Sequence, residues 1–269
     1  MKVNIIIPTF KRDRILKSTI DSFIRVLEGY DYHIYVVNNN DYDLSMNLQR
    51  LTVLKGVENG PTHARNLAVE QMRLCDWVWF ADDDLYIYDD LPLRSLREYS
   101  KSNLGLVNFS TRLRSDRRLI CKKDTRFNNS RSYNSIHISG GNMICAYKLA
   151  KEIKWDINFK GYSYGEDLAF GLEIINSGKF ITMFEPEIIV RHFGENREIT
   201  KLFLKKQLSG LIYLSKKYSM KLFRPITFFL KVLYYTPFSF FTFIVLYLNL
   251  RSKTATEVVT FSNDLDSSQ

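Results

Sequence analysis

The amino-acid sequence predicts an α/β fold with a mainly parallel central sheet. From Val3 to Ala81, short apolar runs alternate with segments of helical periodicity, as the strands and crossover helices of parallel sheets do. The first run, Val3–Pro8, is rich in β-branched residues and is consistent with a strand that is buried on both faces. A hydrophobic content of 45% in 269 residues supports a sizeable core, in one large domain with appendages or in two small domains.

The individual elements follow from the periodicity and the turn residues. Four strands are predicted first, at Val3–Pro8, His33–Val37, Leu51–Leu54 and Trp77–Ala81. Apolar residues at helical spacing predict helices at Ile15–Leu27 and Thr62–Met72, the second with Thr62 as its N-cap. Beyond Asp90 the pattern weakens, and it predicts a helix at Leu168–Ser177, a polar basic loop over Arg112–Arg131, and strands at Leu104–Thr111, Ser135–Tyr147, Phe180–Phe184 and Ile188–Val190.

The net charge of +9 is concentrated near the C-terminus. Residues 201–253 hold ten Lys or Arg and no Asp or Glu, whereas the first 200 residues hold 28 basic and 26 acidic side chains. Cys75, Cys121 and Cys145 are odd in number and form no CxxC pair, so they give neither a disulfide framework nor a zinc signature. We expect buried thiols in a reducing compartment. The N-terminal apolar run is too short for a signal peptide, and we expect the catalytic part to stay in the cytoplasm.

Polar residues follow three of the predicted strands where each strand ends. They are Pro8-Thr9, Asn38–Asn40 and Asp82–Asp84. In open α/β sheets, ligands bind in the crevice at the carboxyl ends of the strands. We therefore expect these three strand ends to meet at one edge of the sheet and to form a binding site there.

Three adjacent carboxylates, Asp82–Asp84, follow the apolar strand in the stretch WVWFADDDL. One interpretation is a solvated acidic turn that caps the next helix. Against it, the cluster lies at the expected ligand edge, and adjacent like charges repel unless a cation offsets them. Mg²⁺ or Mn²⁺ would offset this repulsion, because either ion binds one or two carboxylates together with substrate phosphate oxygens. On this interpretation Asp82 and Asp84 hold a metal–diphosphate, and Asp83 orients or contacts the donor.

These segments together resemble glycosyltransferases of the GT-A fold. The strand IIIPTFKR, the strand end VVNNN, the segment NGPTHARNLA and the Asp-x-Asp occur in that family's order, and the resemblance covers about residues 1–195. The closest resemblance is to the inverting family 2 enzymes that build bacterial surface polysaccharides. It implies a GT-A (Rossmann-like) nucleotide-sugar-binding domain with Mn²⁺ or Mg²⁺ as cofactor.

The resemblance also implies roles for particular residues. Pro8 and Thr9 match the first strand end, which lies against the nucleotide. Asn39 matches the position that usually pairs with the base, commonly uracil, and Asp is frequent at that place. Arg65 and Asn66 match the ARN motif next to the donor phosphates, and the Asp-x-Asp matches the family's metal-binding motif.

Glu166 and Asp167 stand directly before an apolar helical run in GYSYGEDLAFGLEIINSG. Helix capping explains many such pairs, because acidic residues in a first turn complement the helix dipole. In the family's pattern an ED pair opens a helix beneath the acceptor site. The resemblance thus implies that Asp167 is the general base for the acceptor hydroxyl and that Glu166 positions the acceptor. Inversion requires such a base on the face opposite the leaving nucleotide.

Two further segments gain a role only from the resemblance. Gly140-Gly141-Asn142 matches a glycine pair that lets the backbone approach the acceptor or donor sugar. A lone histidine such as His192, in VRHFG, is more often structural, but many GT-A enzymes place a histidine here near the metal or the diphosphate. His192 is therefore included as a third metal ligand, whereas His63 and His137 receive no role.

The C-terminal segment predicts membrane-associated helices. Lys201–Arg224 mixes Lys with large apolar residues, as a basic amphipathic helix on anionic lipid does. Val232–Leu250 has 19 residues without a charge, about the length of a membrane span, but it contains Pro237, which favours a hairpin or an in-plane anchor. A buried helix packed on the catalytic domain is the alternative. Nucleic acid is another possible partner for so many basic residues, but the interleaved Leu, Phe and Ile suit lipid better. We expect a catalytic domain at 1–198, membrane-associated helices at 199–253 and a disordered polar tail at 254–269.

Together these features predict a metal-dependent hexosyltransferase that uses a nucleotide-sugar donor, with UDP-sugars first among the candidates. Its acceptor would be a polyprenyl-diphosphate-linked glycan of O-antigen, capsule or another surface polysaccharide. It would act at the cytoplasmic face of the inner membrane, without a nucleic-acid partner. Two other classes stay open: a non-catalytic membrane-bound scaffold that kept the fold, and a sugar-nucleotide pyrophosphorylase. The second would be expected to show a Gly-rich phosphate loop where this chain has PTFKR.

Overall fold

The computed structural model describes residues 1–56, 60–97, 103–113, 132–133, 138–159, 165–192, 209–210, 212–214 and 216–218. The strands in these residues are β1 (Lys2–Thr9), β2 (Asp31–Asn38), β3 (Leu51–Lys55), β4 (Trp77–Ala81), β5 (Leu85–Tyr86), β6 (Leu104–Leu113), β7 (Ser132–Tyr133), β8 (Asn142–Ala146) and β9 (Ile181–His192). The helices are α1 (Asp13–Val26), α2 (Pro61–Gln71), α3 (Leu91–Leu96), α4 (Tyr147–Glu152) and α5 (Glu166–Ser177).

The chain divides into two compact units. The first comprises Met1–Trp155 and Phe170–Arg197, and the second comprises Asp156–Ala169 and Glu198–Gln269. The second unit thus includes Asp156–Ala169, a stretch that the sequence analysis assigned to the catalytic domain. The sheet belongs to the first unit.

Parallel pairing organises one half of the sheet. Among the described residues the strand order is β3–β2–β1–β4–β8–β6–β9–β5, with β7 paired to β9. β1 pairs in parallel with β2 and with β4, and β2 pairs in parallel with β3. The predicted α/β fold with a mainly parallel central sheet is confirmed. Because these neighbouring strands run in one direction, the carboxyl ends of β1, β2 and β4 open on one edge.

Beyond β4 the sheet is mixed. β8 lies antiparallel between β4 and β6, and β6 is parallel to β9. The two-residue strand β5 pairs antiparallel with β9 and sets Leu85 opposite His192. This pairing brings the end of β9 next to the residues that follow β4.

Apolar side chains cover both faces of the sheet. On one face, α1 packs on the strands, with Phe23 edge-on to Trp79 at 5.1 Å between ring centroids. On the other face, Trp155 stacks on Phe170 of α5 at 4.2 Å, and both lie in a second buried cluster. The apolar residues Ile5, Ile6 and Ile7 of β1 are fully buried, as expected for a strand that is covered on both faces. Ile6 belongs to the second cluster, whereas Ile5 and Ile7 belong to the first.

Several local predictions are wrong. The N-cap of α2 is Gly60, whose φ is +138°, with Pro61 in the first helical turn, so Thr62 lies inside the helix. The two strands predicted after α5 are the single strand β9, and the strand predicted at Ser135–Tyr147 is the shorter β8, followed by α4. Cys75 and Cys145 are buried free thiols as predicted. Cys121 and residues 114–131 of the predicted loop lie outside the described residues.

In the second unit, the described residues 209–210, 212–214 and 216–217 are helical. Ile212, Tyr213 and Leu214 are buried, and the Tyr213 hydroxyl and the Lys217 amine donate to one oxygen of Asp156 at 2.7 and 2.8 Å. This part of the predicted amphipathic helix keeps its apolar side chains inside the protein, which differs from an apolar face open to lipid. Within the described ranges, no helix has the length and apolarity to cross a membrane. Val232–Leu250 and residues 254–269 lie outside those ranges.

Candidate active site

Polar residues at the ends of three strands meet at one edge of the sheet. Thr9 ends β1 opposite Asn38 of β2, and the Asn39 N–H donates to the Thr9 carbonyl at 3.0 Å. The Thr9 hydroxyl donates to Asp83 Oδ2 at 2.8 Å, which joins the end of β1 directly to the residues after β4. The structure therefore brings together the strand ends that the sequence analysis expected to meet. Pro8 lies one residue inside β1, opposite Val37.

Asp82, Asp84 and His192 form a cluster at this edge. One ligand atom from each lies within 4.8 Å of the others. His192 Nε2 is 3.3 Å from Asp82 Oδ2 and 2.9 Å from Asp84 Oδ1. Burial lowers the pKa of His192, but the carboxylates of Asp82 and Asp84 outweigh that effect and raise the pKa to about 9. In the metal-free chain a protonated imidazole thus offsets part of the negative charge.

The donor set of this cluster fits Mn²⁺ or Mg²⁺. Carboxylate oxygens are the ligands that these ions prefer, Mn²⁺ also accepts imidazole, and both keep positions for phosphate oxygens and water. Asp84 Oδ1 is buried and, among the described residues, makes no well-aligned hydrogen bond, although His192 Nε2 is 2.9 Å away. A buried carboxylate oxygen needs a positive charge or a hydrogen-bond donor beside it, and here the His192 imidazole is the neighbour. A cation at this place would satisfy it.

Asp83 turns away from the cluster toward the protein. Its residue is 5% exposed, its Oδ2 accepts from the Thr9 hydroxyl, and its Oδ1 accepts from Arg12 Nη1 at 3.2 Å. The Thr19 hydroxyl donates to the backbone carbonyl of Asp83 at 2.7 Å. Burial raises the pKa of Asp83 to about 6, although the Thr9 hydrogen bond and the Arg12 charge oppose that rise. Both carboxylate oxygens hold protein groups, and the expected contact with the donor stays a prediction.

Arg65 is fixed at the other side of the cluster. Its side chain is 3% exposed, and its Nη2 lies 3.4 Å from Asp82 Oδ1. The guanidinium carbon lies 4.3 Å from the ring centroid of Trp155. The Asn66 amide donates to the Trp155 backbone carbonyl at 2.9 Å and accepts from the Trp155 backbone N–H at 3.0 Å, which fixes the backbone of Trp155. A rigid guanidinium beside the acidic cluster is suited to binding a diphosphate.

The three asparagines after β2 have different surroundings. Asn38 and Asn40 are buried and shape the backbone: Asn38 Oδ1 accepts from the Asn40 N–H at 3.0 Å, and Asn40 Oδ1 accepts from the Lys11 N–H at 2.5 Å. Asn39 is half-buried, and its Oδ1 makes no hydrogen bond to any described residue. Asn40 Nδ2 likewise makes no hydrogen bond to a described residue, and the expected contact of Asn39 with the base stays a prediction.

Two glycines leave room for these functional side chains. A Cβ at Gly141 would lie 2.0 Å from Asp82 Oδ2 and 2.2 Å from its Cγ. A Cβ at Gly56 would lie 2.0 Å from Asn39 Oδ1. Gly141 therefore approaches a carboxylate of the cluster, and the approach to a sugar that was expected for Gly140-Gly141 stays a prediction.

The comparison with known families decides the class of protein. The sequence model of glycosyl transferase family 2 matches residues 4–155, which is more than half of the chain. The chain belongs to glycosyl transferase family 2. Among solved structures, the crystal structure of S. aureus TarS 1–349 is similar, with a TM-score of 0.57 and 16% identity over 82% of this chain and 75% of that chain. S. aureus TarS 1–349 in complex with UDP-GlcNAc gives a TM-score of 0.58 and 14% identity over 80% of this chain and 66% of that chain. These similarities support the GT-A fold. A search of curated proteins gives no match.

The acceptor residues expected for a family 2 enzyme open α5. Glu166 and Asp167 form its first turn, directly after Gly165, whose φ is +103°. A Cβ at Gly165 would also lie 2.6 Å from Leu214 Cδ1, so space and backbone conformation both require glycine there. Glu166 and Asp167 belong to the second unit. Their roles as acceptor-positioning group and general base stay predictions.

Arg12 was not predicted from the sequence, and the structure places it in this candidate site. Arg12 Nη1 lies 2.8 Å from Asp84 Oδ2 and 3.2 Å from Asp83 Oδ1. The signal was present, because Arg12 ends the stretch PTFKR, which runs from the end of β1 at the same sheet edge as the three carboxylates. A cation three positions after one strand end could have been paired with the anions that follow β4.

Proposed function

We propose that the chain is a metal-dependent, inverting hexosyltransferase that moves a sugar from a UDP-sugar to a polyprenyl-diphosphate-linked oligosaccharide of a surface polysaccharide. The observation that carries this proposal is the cluster of Asp82, Asp84 and His192 at the carboxyl edge of the sheet, with Arg65 beside it. Membership of glycosyl transferase family 2 supports the transferase chemistry. The likeness to TarS in complex with UDP-GlcNAc supports UDP as the nucleotide.

The donor half of the proposed site uses residues around the three strand ends. Asp82, Asp84 and His192 would hold Mn²⁺ or Mg²⁺, which supplies positive charge against the negative charge that develops on the leaving diphosphate. Arg65 binds and orients the diphosphate, and its packing on Trp155 orders the guanidinium before the donor arrives. The Asn39 amide offers an acceptor and a donor to the edge of the base.

In the proposed reaction the acceptor is served by Glu166 and Asp167. Asp167 removes the proton from the acceptor hydroxyl as the new glycosidic bond forms, and Glu166 positions that acceptor. The attack comes from the face opposite the nucleotide, which inverts the anomeric configuration. A base of this kind typically contributes about a hundredfold to ten-thousandfold in rate.

The proposed acceptor also accounts for the charge of the C-terminal segment. A polyprenyl-diphosphate glycan stays in the bilayer, so its transferase has to work at a membrane surface. Apart from Lys217, which pairs with Asp156, the basic residues between 201 and 253 and the uncharged run Val232–Leu250 support association with the cytoplasmic face of an inner membrane. Co-sedimentation of the full chain with vesicles tests this: binding to vesicles that contain phosphatidylglycerol is expected, and no binding would contradict it.

The central experiment measures nucleotide release by the purified full-length chain. UDP-, GDP- and dTDP-sugars are supplied with Mn²⁺ or with EDTA, to the wild type, to Asp84→Ala and to Asp21→Ala. Asp21 is a matched control, since it is an exposed aspartate on α1 that pairs with Lys17. We expect UDP release that depends on Mn²⁺, falls about a thousandfold in Asp84→Ala because several kcal/mol of charge stabilisation are lost, and persists in Asp21→Ala.

Each other outcome contradicts a named part of the proposal. Release that is insensitive to EDTA and to Asp84→Ala would remove the metal role. Release from GDP- or dTDP-sugars alone would correct the nucleotide. Binding of UDP without release or transfer, even with polyprenyl-diphosphate glycan present, would favour the scaffold interpretation.

A further inference from the structure

Arg12 makes the two oxygens of Asp84 unequal. Oδ2 accepts a hydrogen bond from Arg12 Nη1 at 2.8 Å. Oδ1 lies 2.9 Å from His192 Nε2 and makes no well-aligned hydrogen bond among the described residues. One oxygen is therefore held by an arginine, and the other is turned toward the metal-ligand cluster.

We infer that Arg12 is a positioning residue for the metal site: it fixes Asp84 so that Oδ1 alone is presented to the ion. This inference rests on the proposed metal dependence. Arg12 contacts neither donor nor acceptor in this scheme and acts only through the carboxylate that it holds.

The backbone around Arg12 is built to aim this side chain. Lys11, the preceding residue, has a φ of +56°, a left-handed conformation that is unfavourable for a non-glycine residue. The Asn40 side chain accepts the Lys11 N–H and stabilises that turn. Arg12 is then the N-cap residue of α1, and its carbonyl accepts from the Leu16 N–H at 2.9 Å. The backbone of Arg12 is thus held from both sides along the chain, and the side chain is held by Asp83 and Asp84.

The same arginine ties the metal ligand to the nucleotide side of the site. Arg12 Nη1 also contacts Asp83 Oδ1, and Asp83 Oδ2 accepts from the Thr9 hydroxyl. The side chains of Asp83 and Asp84 are only 7% and 2% exposed, so water contributes little to their solvation. Neighbouring buried carboxylates need a fixed partner. Arg12 supplies it without occupying the oxygen that faces His192.

Removal of Arg12 has two opposing effects on metal binding. Loss of a nearby positive charge favours a dication, whereas loss of the hydrogen bond frees Asp84 to turn its oxygens away. Groups that hold a metal ligand in place typically change metal affinity about tenfold to a hundredfold. We expect the second effect to dominate, so that Arg12→Gln binds Mn²⁺ at least about tenfold more weakly.

The test is a titration of the full-length chain with Mn²⁺ alone, followed by electron paramagnetic resonance of free and bound ion. The variants are Arg12→Gln, Arg12→Lys and the control Arg14→Gln, an exposed arginine on the same helix. Arg12→Lys keeps the charge but not the planar fork, and we expect about threefold weaker binding with a changed spectrum of the bound Mn²⁺. Arg14→Gln should match the wild type, and circular dichroism checks that each variant is folded.

The outcomes separate the two proposals. Mn²⁺ affinity in Arg12→Gln that equals or exceeds that of the wild type would overturn the positioning role and leave Arg12 as a counter-charge only. If Arg12→Gln does not fold, a wild-type affinity and spectrum in Arg12→Lys would overturn it instead. A wild type that binds no Mn²⁺ would remove the proposed metal site itself, and the role of Arg12 with it.

Discussion

The two halves of the sheet deliver residues to the candidate site in different ways. In the parallel half, Thr9, Asn39 and Asp82 stand where β1, β2 and β4 end, and neighbouring parallel strands end at one edge. In the mixed half, Gly141 and His192 arrive through antiparallel pairing, β8 against β4 and β5 against β9. In the parallel half, the position of a site residue depends on where its strand ends. In the mixed half, it depends on which residues are paired across neighbouring strands.

Because of this difference, the site residues of the mixed half are more sensitive to a shift in strand register than those of the parallel half. A slip of one residue in a strand pair turns every side chain of that strand to the other face. His192 faces Asp84 only while Leu85 stays opposite it, and that pairing involves just two residues of β5. The parallel half has longer pairings, with eight residue pairs between β1 and β2. We therefore expect changes in the mixed half to alter the proposed metal site most.

The largest effect on Mn²⁺ binding is expected from Gly141→Ala. Its new Cβ would lie 2.0 to 2.6 Å from the carboxylate atoms of Asp82. The Asp82 side chain is 41% exposed and can turn into solvent, so the fold survives while the metal site loses a carboxylate. Mn²⁺ affinity should fall about a hundredfold. The free energy of unfolding should change by no more than about 1 kcal/mol.

Calorimetric titration with Mn²⁺ measures this affinity, and urea unfolding measures stability. The matched control is Gly29→Ala, where a Cβ meets nothing within 4 Å. An affinity in Gly141→Ala equal to that of the control would show that Asp82 is not held by this contact. Of the residues in the mixed half, only His192 would then contribute to the proposed metal site.

The sequence predicted the parallel half well because its signals are local. Trp77–Ala81 was predicted with its observed bounds, and the expected meeting of the ends of β1, β2 and β4 at one edge agrees with the parallel pairing of these strands. The two-residue strand β5 has no periodicity to detect, and β9 contains Pro186, which made one strand look like two. Arg12 was missed for a related reason, since its contacts span more than seventy residues of sequence. The place of His192 came from family resemblance and not from any local pattern.

A smaller effect on Mn²⁺ binding is expected from His192→Gln. Two carboxylates remain, and they are the stronger ligands for Mg²⁺ and Mn²⁺, so affinity should fall about tenfold. Titration of the full chain with Mn²⁺ gives the value. Arg191→Gln is the matched control, because Arg191 is exposed, neighbours His192 in β9 and lies over the Tyr88 ring, not in the cluster. Equal affinities in the two variants would make His192 a structural residue.

The smallest effect is expected in the parallel half, from Gly56→Ala. The added Cβ would lie 2.0 Å from Asn39 Oδ1 and 3.1 Å from the Asn38 carbonyl, so the Asn39 amide has to move while the strand end keeps its hydrogen bond to the Gly56 N–H at 2.8 Å. One lost hydrogen bond to the base costs about 1 kcal/mol, which predicts about a fivefold rise in KM for the UDP-sugar. Steady-state kinetics should show kcat nearly unchanged, and Mn²⁺ affinity should equal that of Gly29→Ala. A fall in Mn²⁺ affinity as large as in Gly141→Ala would break the distinction between the two halves, because it would mean that the end of β2 also positions the proposed metal ligands.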